Sequence, residues 1–206
     1  MGLLSQSVSI TRYRVQGQLD EPVLETIVRA LKRHAVLDID NDAEEKSCGW
    51  TSFENPFSPE FDGSNHLFGS YVVFSLRIDK KNIPAKVLKK HYSLEETKRL
   101  ASNGRQFFSR NEKKQVKEEI LHRLSLRIPA TPHVYDLIWN YESGTLWFFS
   151  NLKAANEELE TLFSESFKLS LIRMFPYTAA ELDADLTDSE RDRLNQISPF
   201  NATGQT

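Results

Sequence analysis

The chain has a single cysteine, Cys48, among 206 residues. No internal disulfide framework can form, and the composition fits a reducing compartment. No apolar run approaches the roughly 18 residues that a membrane-spanning helix requires. The first fifteen residues, MGLLSQSVSITRYRV, lack the basic start and continuous apolar stretch of a secretory signal. A cytoplasmic protein that makes no membrane contact is the expectation. There is no GxxxxGK[ST] phosphate loop, no GxSxG elbow and no repeat at a fixed period. The five histidines, at 34, 66, 91, 122 and 133, never fall at metal-ligand spacing with one another or with Cys48. No metal and no cofactor is therefore expected.

Large side chains, by contrast, are plentiful. Thirteen Phe, three Trp and six Tyr can fill a substantial core, which excludes a disordered chain. Charge is unevenly placed. The net charge is −3, yet residues 77–127 hold 15 Lys and Arg against 6 Asp and Glu. That segment is at +9 and the remainder at −12. The overall balance says little about partners, and the distribution says more.

Val8–Val15 reads as a strand, β-branched with arginines at alternate positions. Asp20-Glu21-Pro22 predicts a helix start with Asp20 as N-cap, and Val23, Leu24, Ile27, Val28 and Leu31 continue at helical spacing to about Arg33. Residues 38–65 are acidic and aromatic, punctuated by Pro56, Pro59 and Gly63. They predict a long excursion with a short strand near Cys48–Ser52, pinned to the body by Phe53, Phe57 and Phe61. His66–Ile78 predicts a strand, and a lysine-rich helix follows over 85–101 with a stop at Asn103-Gly104. Ser109-Arg110-Asn111-Glu112 is a capping box that opens a helix with apolar Val116, Ile120, Leu121 and Leu124. Val134–Tyr141 and Thr145–Ser150 predict a hairpin around Gly144, and its Trp139 and Trp147, like Trp50, are expected in the core. A helix over about 152–165, a strand over Phe167–Phe175 and a second capping box at Thr187–Glu190 complete the pattern. The whole predicts an α+β fold with mixed or antiparallel sheets. Two helix-containing halves, 1–78 and 131–195, are joined by a basic helical segment, 79–130, and a flexible tail spans 196–206.

Between Lys80 and Lys114 only Glu95, Glu96 and Glu112 oppose the positive charge, so few i,i+4 pairs can neutralise it. Binding of a nucleic-acid backbone needs only such clustered cations, which release condensed counterions. At 100° per residue, Lys113 and Lys117 fall close to the Ile120 and Leu124 meridian, where a lysine either snorkels or faces a partner. A solvated helix face is the alternative. An acidic protein partner is another, because a basic face does not discriminate between polyanions. Phe107 and Phe108, set between Arg105 and Arg110, suit packing or a subunit contact better than base stacking. Asp79 with Glu112-Lys113-Lys114 matches the acid…acid-x-lysine pattern of some metal-dependent nucleases only loosely, since Glu112 is the capping partner of Ser109. No enzymatic activity is expected.

The order of these signals resembles the RdgC family of recombination-associated DNA-binding proteins. It consists of Tyr13-Arg14 before a helix, then Gly49-Trp50, IDKKNIPAKVLKK at 78–90, Gly104-Arg105, RNEKKQVKEEIL at 110–121, and a hairpin from Trp139 to Thr145 with Gly144. The resemblance covers roughly 7–175 and identifies a short, divergent member: typical members are longer, and the segment after the basic helix reads LRIPATPHVYD here rather than Leu-Pro-x-Ala-Phe. It implies a homodimer closed as a clamp or ring around duplex DNA, without sequence preference, in the nucleoid. It also implies modulation of RecA-type strand exchange in recombination or replication. Lacking the family's C-terminal portion, the ring could stay open and still use the same basic face. The candidate DNA-binding residues are Lys80, Lys81, Lys86, Lys89, Lys90, Lys98, Arg99, Arg105, Arg110, Lys113, Lys114 and Lys117. Phe107 and Phe108 are interface candidates.

Overall fold

The computed structural model describes residues 2–61, 66–183 and 186–196. Gly63 and, beyond Gln196, the tail expected over 196–206 lie outside the described residues. The elements run β1 (Thr11–Gln16), α1 (Val23–Arg33), β2 (Lys46–Thr51), β3 (Leu67–Phe68), β4 (Tyr71–Lys80), α2 (Ala85–Asn103) and α3 (Arg110–Ser125). They continue with β5 (Thr131–Asn140), β6 (Thr145–Phe148), α4 (Lys153–Phe167), β7 (Ser170–Arg173), α5 (Pro176–Asp183) and α6 (Asp188–Gln196). The fold is α+β.

Seven strands form one antiparallel sheet in the order β2-β4-β5-β6-β1-β7, with β3 also on β4. Its spine is the β4–β5 pair, in register from Tyr71↔Asn140 to Lys80↔Thr131. The two strands that flank the basic segment in sequence are thus neighbours in space.

Alternation along β4 sorts the two faces. Val72, Phe74, Leu76 and Ile78 are buried beside Trp139 and Leu137 of β5. This face is covered by Ile27, Ala30 and Leu31 of α1 and by Leu159, Phe163 and Phe167 of α4. The centre is aromatic: Trp139 lies 5.1 Å from Phe163 and 5.0 Å from Phe167, and Trp50 lies 5.1 Å from Phe74. Near-perpendicular rings place positive edges on negative faces, adding specificity to the burial. Gly49 is needed because the chain at 34–36 crosses β2 closely. Val36 N–H donates to Trp50 O at 2.9 Å and Trp50 N–H to His34 O at 2.9 Å, and a Cβ at 49 would sit 2.4 Å from the Val36 backbone. Burial foremost, and then the Glu158 carboxylate, push the Cys48 thiol up to about 12, so the one cysteine is an inert packing residue.

The opposite face is polar along its upper half. Asp136 is buried there and accepts from Ser75 Oγ at 2.8 Å and from Leu3 N–H at 2.7 Å, which ties the N-terminal arm onto the sheet. Asp79 is buried and receives Arg77 through two bonds, Nε at 2.8 Å and Nη2 at 2.6 Å. Phe57 lies over that guanidinium at 5.5 Å, so Phe57 does pin the acidic excursion, and Phe61 is buried.

Local expectations need three corrections. Asp20 does not cap α1; Pro22 occupies the N-cap with no side-chain bond. The strand expected over His66–Ile78 is broken by a turn at Gly69, whose φ of 63° is the left-handed region that glycine enters freely. Trp147 leaves the core. It is the register partner of Ile138, while Trp139 pairs with Leu146, so the two tryptophans lie on opposite faces.

Candidate nucleic-acid interface

The basic segment folds into an antiparallel helical hairpin between β4 and β5. At 1.5 Å per residue α2 is about 28 Å long. Gly104 closes it with φ 61° and an N–H cap onto the last turn. Both bonds of the capping box form at the start of α3: Ser109 N–H donates to Glu112 Oε2 at 2.7 Å, and Glu112 N–H to Ser109 Oγ at 3.3 Å. These bonds, the backbone N–H first, and then Arg105 hold the Glu112 carboxyl below the usual carboxylate range.

The hairpin has a core of its own. Val116, Ile120 and Leu124 are buried, with Ile83, Val87, Leu88, Tyr92 and Phe108 packed against them. No α2 residue is fully buried. The buried α3 meridian is 116–120–124, and Lys113 and Lys117 stay exposed beside it. Arg110, Lys113, Lys114 and Lys117 stand at i, i+3, i+4 and i+7, hence on one face of α3. The other flank of α3 is neutralised. Arg99 donates to Glu95 at 2.8 Å and across the hairpin to Glu119 at 2.6 Å, and Arg123 reaches Glu95 at 3.7 Å.

The twelve candidates therefore separate. Lys81 is a structural residue. It is buried, and its ammonium donates to Asp42 O and Ser125 O, both at 2.7 Å, and to Asp40 O at 3.2 Å. It anchors the base of the hairpin to the excursion, where Asp40 Oδ1 also accepts from Ala130 N–H at 2.7 Å. It cannot face a polyanion. Arg99 is committed to the ion pairs above, Arg105 pairs with Glu112 at 3.0 Å, and Lys114 approaches Glu118 at 3.7 Å. Lys80, Lys86, Lys89, Lys90, Lys98, Arg110, Lys113 and Lys117 are exposed and carry no ion pair among the described residues. On α2, Lys86, Lys89 and Lys90 lie on the side away from the Val87–Leu88–Tyr92 contacts with α3. Arg127, beyond the end of α3, is exposed in the same way and was missed by the sequence reading. The two phenylalanines also separate: Phe108 packs the corner of the hairpin, and Phe107 is 78% exposed at its tip.

Asp79 and Glu112 have partners of their own, Arg77 and the capping box. Among the described residues no group of three or more His, Cys, Asp or Glu side chains could hold a metal ion, and no helix is long and apolar enough to cross a membrane.

Residues 9–188 match the family model described as "Putative exonuclease, RdgC". No curated protein matches the chain.

Proposed function

Because the chain belongs to the RdgC family, a recombination-associated DNA-binding role fits at the family level, and we propose that the chain itself binds duplex DNA without sequence preference through the α2–α3 hairpin. The observation that carries this reading is the α3 face at 110, 113, 114 and 117, exposed at i, i+3, i+4 and i+7 on a helix whose opposite flank is ion-paired. Exposed cations spaced along one helix face follow a phosphate backbone and read no bases. The acidic remainder disfavours duplex DNA on other surfaces. The assembly in this reading is a homodimeric clamp or ring, with the exposed Phe107 as a subunit contact. Its place is in the nucleoid, and its task is to modulate RecA-type strand exchange.

The role is non-enzymatic. Supporting this, the two acids that approach a nuclease pattern are Asp79, buried against Arg77, and Glu112, spent on the capping box. Incubation with Mg²⁺ and linear or nicked DNA should leave the DNA intact. Progressive shortening would establish the exonuclease activity that the family's description names.

Duplexes of unrelated sequence should bind equally, with log K falling against log salt by about 0.9 per phosphate neutralised, hence by about 7 if the eight unpaired candidates engage and by about 8 with Arg127. Lys113→Glu with Lys117→Glu should reduce that slope by about 2 and lower affinity more than about tenfold at 0.1 M salt, with an unchanged circular dichroism spectrum. A flat salt dependence would overturn the reading. Undiminished binding by the double variant would move the interface off α3. Displacement of an acidic protein by generic duplex DNA would show that the two share the face.

A further inference from the structure

The sheet face that α1 and α4 leave open carries a second cluster, remote from the hairpin in sequence. Arg12 of β1 is the cross-strand partner of Trp147 in β6, and Tyr71 of β4 is the partner of Asn140 in β5. Their strand neighbours Tyr13, Leu146, Val72 and Trp139 fill the core. Alternation therefore sends these four side chains to the opposite face.

Tyr71 and Trp147 stack, with ring centroids 6.4 Å apart and 29° between planes. With Arg12, Asn140, Ser143 and Thr145 they line a depression of about 210 Å³. That is below the roughly 300–1,000 Å³ of a site that encloses a whole small-molecule ligand. It suits one ring system lying on an aromatic surface. Tyr71 is 38% exposed and Arg12 is exposed without an ion pair among the described residues. The Asn140 carboxamide is held in place, accepting from Ser143 N–H at 2.9 Å and donating to Ser70 Oγ at 3.3 Å. One of its N–H bonds remains for a ligand.

A platform of two rings, an oriented amide and an unpaired guanidinium matches the three parts of one nucleotide: base face, base edge and phosphate. In a duplex both base faces are occupied by stacking, so only an unpaired strand can use all three. We propose that this cluster binds a single-stranded nucleic acid, one base stacking on Tyr71 and Trp147 while Arg12 takes the adjacent phosphate. The site is separate from the hairpin, although the choice of a nucleic acid as occupant rests in part on the reading above.

The tryptophans supply the readout. Trp50 and Trp139 are 0% and 1% exposed, so quenching by a bound base reports on Trp147. Titration of the full chain with an oligothymidylate should quench that fluorescence. Tyr71→Ala should weaken the oligonucleotide about tenfold, the effect of losing part of one aromatic platform. Arg12→Glu, at an exposed position that should not affect folding, should lower the single-strand salt slope by at least about 0.7. Both variants should bind duplex DNA as the unsubstituted protein does. Unchanged oligonucleotide binding by both variants, or no quenching at all, would overturn the proposal and leave the hairpin reading standing. Conversely, quenching that depends on Tyr71 in a protein that ignores duplex DNA would support this site and sink the other. Quenching on raising protein concentration without DNA would assign the face to a second copy of the chain and overturn the proposal.

Discussion

The sheet with α1 and α4 and the α2–α3 hairpin are built to different standards. Twenty buried residues, five of them large aromatics in mutual contact, form the sheet core. Three buried apolar residues on α3 carry the hairpin, and α2 buries none fully. Charge follows the same division, since the surplus of cations stands on the thinly supported element. A helix with little core to bury holds its shape through local devices: the capping box, the glycine stop at 104, the Arg99 network across the helices and the Lys81 anchor at the base. The consequence is a broadly cored acidic platform bearing a basic arm with a small core of its own.

Substitutions can break or sharpen that contrast. The largest effect should come from Phe163→Ala, which empties the centre of the aromatic cluster and should cost about 3–5 kcal/mol of global stability in chemical denaturation. Ile120→Ala should cost about 2–4 kcal/mol, but locally: hydrogen exchange should accelerate in α2 and α3 while β4 and β5 keep their protection. Equal acceleration everywhere would mean that hairpin and sheet unfold as one unit. Lys81→Met removes three hydrogen bonds and should cost about 1–3 kcal/mol. Its effect on duplex affinity should be smaller than that of Lys113→Glu with Lys117→Glu, although all three are lysines of one segment. The smallest effect should be Ser109→Ala, about 1 kcal/mol through loss of the N-cap. It is accompanied by a pH signature. The folded Glu112 carboxyl titrates below its unfolded value, so its stabilisation is complete above the unfolded pKa and is lost as pH falls through the folded one. Thermal melts of the unsubstituted protein should therefore show an acid loss of hairpin stability that Ser109→Ala reduces.

Features held within a few residues were legible in the sequence. The capping box at 109–112 is an i to i+3 relation, and the Gly104 stop and the turn at Gly144 are single-residue conformations. Lys81 was not legible. Its partners sit at 40, 42 and 125, and nothing in IDKKNIP distinguishes it from its exposed neighbour Lys80. Trp147 was misread for another reason. TLWFF and DLIWN are apolar at consecutive positions, so they lack the alternation that would assign a face, and the β5–β6 register alone decides which tryptophan is inside. The cluster of Arg12, Tyr71 and Trp147 comes from three strands far apart in the chain, which makes it a product of topology.

The last pair of the central ladder, Lys80 with Thr131, has a consequence for redesign. The chain departs from the sheet and returns to it at adjacent positions, so in topological terms residues 81–130 are an overgrown β-turn. The ladder registers only that its two ends meet. Helices of other lengths or charge could be grafted at that junction without re-threading a strand.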